Sequence, residues 1–174
     1  MSAQVISWSL FILPWLTLLF MKREDVKRYM PVGLFSIVAT TFIHDTGITL
    51  GYWVVWHAAF PLNEMLPYFY GLIPVLTMWI FKYTNGKFWV YLFANALIDI
   101  GFSFYYLNAF LPGRGIYALA GITSFQVWLI NLGHATVLYG YQKWQENTLL
   151  PAVKNLFAFR RPAAAKPSFE ESDD

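Results

Sequence analysis

Residues 88–107 read FWVYLFANALIDIGFSFYYL, twenty consecutive positions of which only Asp99 is a charged type. A helix needs about 20 apolar residues to cross the roughly 30 Å hydrocarbon core of a bilayer. Asn95, Asp99, Ser103 and Tyr106 fall within about 80° of one another at about 100° per residue. A central Asp costs about 2.5–3.5 kcal/mol on insertion scales. A narrow polar stripe with a carboxylate at mid-span is therefore expected to face the interior of a helix bundle rather than lipid.

Four further stretches repeat the pattern. They are Val5 to Met21, Val32 (after Pro31) to about Trp56, about Leu66 to Phe81, and about Ile116 to Tyr139. Pro14 is expected to bend the first and Pro74 to kink the short third, while Pro67 suits a first turn. A cleaved signal peptide is the rival reading of the first segment. That segment lacks a basic leading region and a small-residue cleavage site, so an uncleaved helix is expected. Whether residues 46–65 finish a helix or form a re-entrant outer loop stays open.

Composition agrees. Of 174 residues, 57% are hydrophobic, 20% aromatic and 13% charged, against about 25% charged in soluble domains. Disordered and collagen-like chains are excluded, as is a disulfide scaffold, since there is no cysteine. No basic stripe is long enough for nucleic acid. Lys22, Arg23, Lys27 and Arg28 separate the first two runs, and Lys82 and Lys87 the third and fourth. Lys143, Lys154, Arg160, Arg161 and Lys166 follow the fifth. The other connections hold only His57, Glu64 and Arg114. The positive-inside rule then puts the N-terminus outside and the C-terminus in the cytoplasm. An odd number of spans requires the same. The expected fold is all-α: an integral membrane bundle of five transmembrane helices. Residues 1–144 form that domain, 145–161 an amphipathic interfacial segment or the frayed end of helix five, and 162–174 a disordered acidic tail.

Polar residues recur within three spans. Helix two carries Thr40, Thr41, His44 and Asp45, helix four Asn95 and Asp99, and helix five Gln126, Asn131 and His134. A long helix two would put His44 and Asp45 near mid-depth. His134 is expected some 9 Å nearer the cytoplasm than the midplane, at about 1.5 Å per residue. The functional reading is a proton or cation path, with Asp99, Asp45, His44 and His134 as relay groups. The structural reading is hydrogen bonding between helices at about 0.6–2 kcal/mol per contact, with Asp99 keeping its proton. Gly47 and Gly51 form a GxxxG spacing that admits a neighbouring helix, or else mark a kink or the helix exit.

Motifs for other chemistry are missing. The spacings of His and Asp match no metal site. A haem between His44 and His134 conflicts with their depths. No lysine lies within a span to form a retinal Schiff base, and no Walker loop, dinucleotide fingerprint or nucleophile elbow occurs. No cofactor and no metal is expected.

One further signal comes from Tyr70-Gly71-Leu72-Ile73-Pro74-Val75, Trp79-Ile80-Phe81, Gly86-Lys87-Phe88-Trp89, Tyr91-Leu92, Asn95, Asp99, Ser124-Phe125-Gln126-Val127 and Gly140-Tyr141-Gln142-Lys143-Trp144. This combination, in under half of the chain, resembles an uncharacterised family of small multispan integral membrane proteins from spore-forming bacteria. The resemblance implies the bacterial cytoplasmic membrane and carries over no activity, substrate or functional residue. The residues leave two main functions. The first is a non-catalytic subunit or scaffold acting through lipid, a membrane partner protein or a second copy. The other is a small proton- or cation-coupled transport unit using Asp99. A lipid-modifying enzyme is the weaker third, and catalysis is not the expectation.

Overall fold

The computed structural model describes residues 3–57, 59–62, 65–84 and 86–159. The chain is all-α in class and mostly helical. Its five helices are α1 (Ala3–Thr17), α2 (Arg23–Thr49), α3 (Leu72–Thr84), α4 (Phe88–Ile100) and α5 (Ser124–Phe159). Two short strands, β1 (Trp53–Val55) and β2 (Tyr117–Leu119), pair antiparallel with Val54 opposite Ala118. Two compact units divide between Gln142 and Lys143. In the second, Lys143 pairs with Glu146 at 3.6 Å. The expected acidic tail, 162–174, lies outside the described residues, as do Glu64, Arg160 and Arg161.

Several expected boundaries move. Helix two begins at Arg23, not after Pro31, and Pro31 lies inside it. An apolar count finds where the apolar run begins, whereas the helix starts about two and a half turns earlier, with Glu24 and Asp25 in the first turn favouring its positive end. Helix two stops at Thr49, not near Trp56. Gly51 takes a left-handed φ of 71°, Gly51 N–H bonds Ile48 O at 2.9 Å, and Tyr52 N–H bonds Gly47 O at 2.8 Å. These are the two bonds of a glycine-terminated helix end. Within 46–65, the first four residues finish α2 and Trp53–Val55 form β1. Helix five starts at Ser124, not Ile116, because Tyr117–Leu119 is spent on β2. Beyond Trp144 it continues as one helix to Phe159.

Helix one matches its apolar run, with α1 continuing as a 3-10 turn through Phe20. The third run becomes a 3-10 turn at Pro67–Phe69 followed by α3, so Pro74 falls in the first turn of α3, where it removes no helical bond. α4 passes into a wider π-helix over Gly101–Phe110, which Leu111 N–H closes on Tyr106 O at 3.0 Å.

The helices of the first unit run up and down between two ends. At one end Lys82 meets Asp25 at 4.0 Å, and the Tyr139 hydroxyl donates to Gly86 O, so the α1–α2 and α3–α4 connections share that end with Tyr139 of α5. Around them pack Tyr29, Met78, Phe81, Tyr91 and Leu138. The opposite end holds β1 and β2 over Leu66, Phe69, Leu107, Ile116 and Val127. Among the described basic residues, Lys22, Arg23, Lys27, Arg28, Lys82 and Lys87 belong to the first end and Arg114 to the other.

Polar side chains share the interior with a mostly apolar core. Ser36 and Ser103 are fully buried, and His44 and Thr77 are buried too. Outward stripes at helical spacing are apolar: Leu34, Val38 and Phe42 on α2, and Trp89, Phe93 and Leu97 on α4. Phe42 is 71% and Trp89 77% exposed. Contiguous apolar surface of this kind is rare on soluble monomers. Among the described residues two helical stretches, Arg23–Thr49 and Phe88–Arg114, are long and apolar enough to cross a membrane, and Gln4–Phe20 is a shorter apolar helix.

Candidate functional site

The interior of the first unit holds a partly open cavity of about 110 Å³. α2 contributes Thr40 and His44, α3 Thr77, α4 Asn95 and Asp99, and α5 Asn131 and His134. Helical spacing explains the convergence within each element. Asn95 and Asp99 are one turn apart on α4, and Asn131 and His134 are nearly so on α5, so each pair shares a face. Trp53, Tyr68, Phe69, Phe102 and Tyr117 wall the end beneath the two strands. The space has room for several water molecules.

Hydrogen bonds hold α4 and α5 side by side. The Tyr91 hydroxyl donates to Ala135 O at 3.1 Å, Trp128 Nε1 to Ala96 O at 3.0 Å, and Asn131 Nδ2 to Ser103 Oγ at 3.4 Å. Asn95 Nδ2 donates to Tyr91 O at 2.8 Å. Asp99 makes no hydrogen bond or ion pair among the described residues. His134 Nε2 and Thr40 Oγ1 are likewise buried with no hydrogen-bond partner. Three cavity-lining side chains thus present polar atoms without a protein partner among the described residues, and Thr41 Oγ1 and the Tyr106 hydroxyl are buried unbonded as well. Buried polar groups are usually bonded, so these side chains keep bonding capacity for what enters the cavity.

The end beneath the strands is closed by Trp53. Its indole Nε1 donates to His44 O at 3.1 Å and its ring stacks on the His44 imidazole, with centroids 5.9 Å apart and planes 14° apart. The ring lies against Gly47, where any Cβ would overlap it. Strand pairing holds this arrangement, and His57 Nδ1 bonds Gly115 O at 2.6 Å to tie the two connections again. Burial pushes the Tyr117 phenol upward, so it stays neutral in ordinary buffers. The opposite end is closed by stacked rings: Phe81 on Tyr91, centroids 4.5 Å apart, with Tyr29 and Tyr139 flanking.

The structure brings five of the expected polar residues together: Asp99, Asn95, His44, Asn131 and His134. Two stand apart. Asp45 is exposed, because residues adjacent on a helix point about 100° apart and His44 takes the inward position. The early stop at Thr49 also puts His44 and Asp45 near the end of α2 rather than at its middle. Gln126 is exposed and caps α5: its Oε1 accepts from Thr123 N–H at 2.9 Å, while Thr123 Oγ1 accepts from Gln126 N–H at 3.3 Å. This reciprocal cap is readable from the Thr-Ser-Phe-Gln spacing. Gly47 admits the Trp53 indole in place of a facing helix, and Gly51 terminates α2.

Sequence reasoning missed Thr77, Trp53, Tyr68 and Tyr117. Thr77 had a signal, as the one hydroxyl within the apolar run of α3. The aromatic wall had none, since rings near span ends read equally well as headgroup anchors. Among the described residues no group of three or more His, Asp and Glu could hold a metal ion. No family profile, curated protein or solved structure matches the chain.

Proposed function

We propose that this chain is a multi-pass integral protein of the bacterial cytoplasmic membrane, with five spans, its N-terminus outside and its C-terminus in the cytoplasm. We propose further that it works as a small proton- or cation-coupled transport unit around Asp99. The apolar outward stripes support the bilayer setting, and the gathering of most short-connection basic residues at one end supports the orientation. α5 is long enough to span but is diluted by Asn131 and His134, the side chains it turns toward the cavity. Lipid is the surrounding partner, and a second copy or a membrane partner protein fits the exposed apolar faces.

One observation carries the transport reading: Asp99 lines a partly open internal cavity, unpaired, with His134, Asn95 and Asn131 on the same wall. An intramembrane acid facing a wet interior is the usual mark of an ion or proton pathway. Aromatic closures lie on both sides, so transport requires each to open in turn. In proteoliposomes under a pH gradient and a potential, wild-type protein is expected to pass protons. Asp99→Asn is expected to fall to the level of protein-free vesicles with an unchanged melting curve. No wild-type flux under both driving forces refutes transport.

The scaffold reading draws on the three hydrogen bonds between the α4–π segment and α5, which make the polar stripe a structural seam. In that case Asp99→Leu destabilises the bundle and Asp99→Asn is neutral in every assay. Orientation has its own test, since the chain has no cysteine background. Gly113→Cys, where an added side chain meets open space, is expected to react with an impermeant maleimide from outside. Lys87→Cys is expected to react only after the membrane is permeabilised. The reverse pattern overturns the proposed topology.

A further inference from the structure

We propose that the cavity binds a small organic cation, an ammonium or quaternary ammonium group of about five heavy atoms, with Asp99 as counter-ion and the rings of Trp53, Tyr68, Phe69 and Tyr117 as its wall. This rests on the transport reading of the same site and names its cargo.

The size of the space sets the first limit. A cavity of about 150 Å³ takes benzene, so about 110 Å³ limits the guest to a compact body of about that order of size. Charge sets the second. Asp99 is the one carboxylate of the wall. No Lys or Arg lines the cavity, so Asp99 has no basic side chain of that kind beside it. A lone carboxylate in apolar surroundings must take a proton or a cation.

The wall decides between kinds of cation. A bare sodium ion or divalent metal needs a compact shell of oxygen donors in place of its water. Here the lining is mostly aliphatic and aromatic, and the metal-ligating side chains form no cluster. Rings satisfy a different guest: an alkylated ammonium is weakly hydrated, and aromatic faces attract it through their quadrupoles. The unsatisfied Thr40 Oγ1 and His134 Nε2 are acceptors for an N–H where the guest has one, or for a companion water. A proton on Asp99 with water in the remaining volume is the rival occupancy, and the binding experiment separates the two.

The test uses the full chain in nanodiscs of phosphatidylglycerol, whose headgroup has no amine, with radiolabelled tetramethylammonium in equilibrium dialysis. Saturable binding is expected at one site per chain, unaffected by 100-fold excess sodium over the probe. Tetrabutylammonium, too large for the space, is expected not to compete. Asp99→Asn should weaken binding by about a hundredfold or more, as loss of one member of a desolvated charge pair does. Asp99→Glu should retain part of it. Displacement by phosphatidylethanolamine added to the disc would identify the same chemistry as a lipid headgroup rather than a free solute. No wild-type binding, equal binding by Asp99→Asn, or displacement by sodium overturns the proposal. The two readings fail separately. Proton flux without tetramethylammonium binding sinks the cargo and keeps the transport unit. Binding without flux keeps the site and sinks transport.

Discussion

Trp53→Ala is expected to cost about 3–5 kcal/mol of stability, the range for deleting a large buried aromatic side chain. The indole fills a slot that the absent side chain of Gly47 creates, stacks on His44, and bonds His44 O through Nε1. Alanine removes all three contacts and leaves His44 O, near the end of α2, without its indole donor. The strand holding position 53 also lacks length to compensate, with three residues on each side of the pairing. Trp53→Phe separates the terms. It keeps most of the ring and loses the hydrogen bond, for an expected cost of about 1 kcal/mol. Denaturant unfolding in a mild detergent, followed by circular dichroism, measures both. A loss under about 1 kcal/mol for alanine would show that the indole packs too loosely to act as a closure. With the closure gone, the tetramethylammonium site should also exchange faster, which a filter-binding chase reads.

Gly71→Val is expected to cost about 3 kcal/mol, at the upper end of ordinary overpacking, and to detach α1 from the bundle. A side chain here would run into the carbonyl oxygens of Leu10 and Phe11 and the backbone of α1 itself. Backbone cannot rotate aside as a side-chain tip can, so the helix must move. Movement then breaks the indole bond from Trp15 Nε1 to Tyr70 O at 2.9 Å and that from Trp79 Nε1 to Thr17 Oγ1 at 3.0 Å. Because α1 does not line the cavity, cation binding should survive while protease access to residues 18–24 rises. Gly101→Ala is the control: an added Cβ there meets nothing within 4 Å, and no loss of stability is expected. Equal melting curves for Gly71→Val and wild type would contradict the packing of α1 on the α3 entry.

How much of this was legible beforehand varies by element. Helix one and the start of helix four were, because an apolar run bounded by Lys22 or Gly86-Lys87 defines a helix through its own composition. The shared face of Asn95 and Asp99 was legible for the same reason, since periodicity within one helix is local. The start of α2 was not: Arg23–Met30 is helical but charged, and a rule that counts apolar residues starts after Pro31. Asp45 counts with His44 among the relay groups as a second ionisable residue at mid-span, with the two pointing in different directions; which of them faces inward was not legible. Gln126 was grouped with the polar face of helix five, although Thr123 three residues before it marks a cap.

Sequence alone determined the number of helices, their apolar character and the inward placement of Asp99, because each follows from side chains a few positions apart and from the cost of burying charge. Tertiary structure alone decided that Trp53 covers His44, that Tyr117–Leu119 pairs with Trp53–Val55 instead of opening helix five, and that four helices share one cavity around Asp99. Those outcomes join residues as far apart as His57 and Gly115, 58 positions along the chain. A three-residue strand has too little intrinsic preference to declare itself, and it exists because the helices on either side bring its partner within hydrogen-bonding reach.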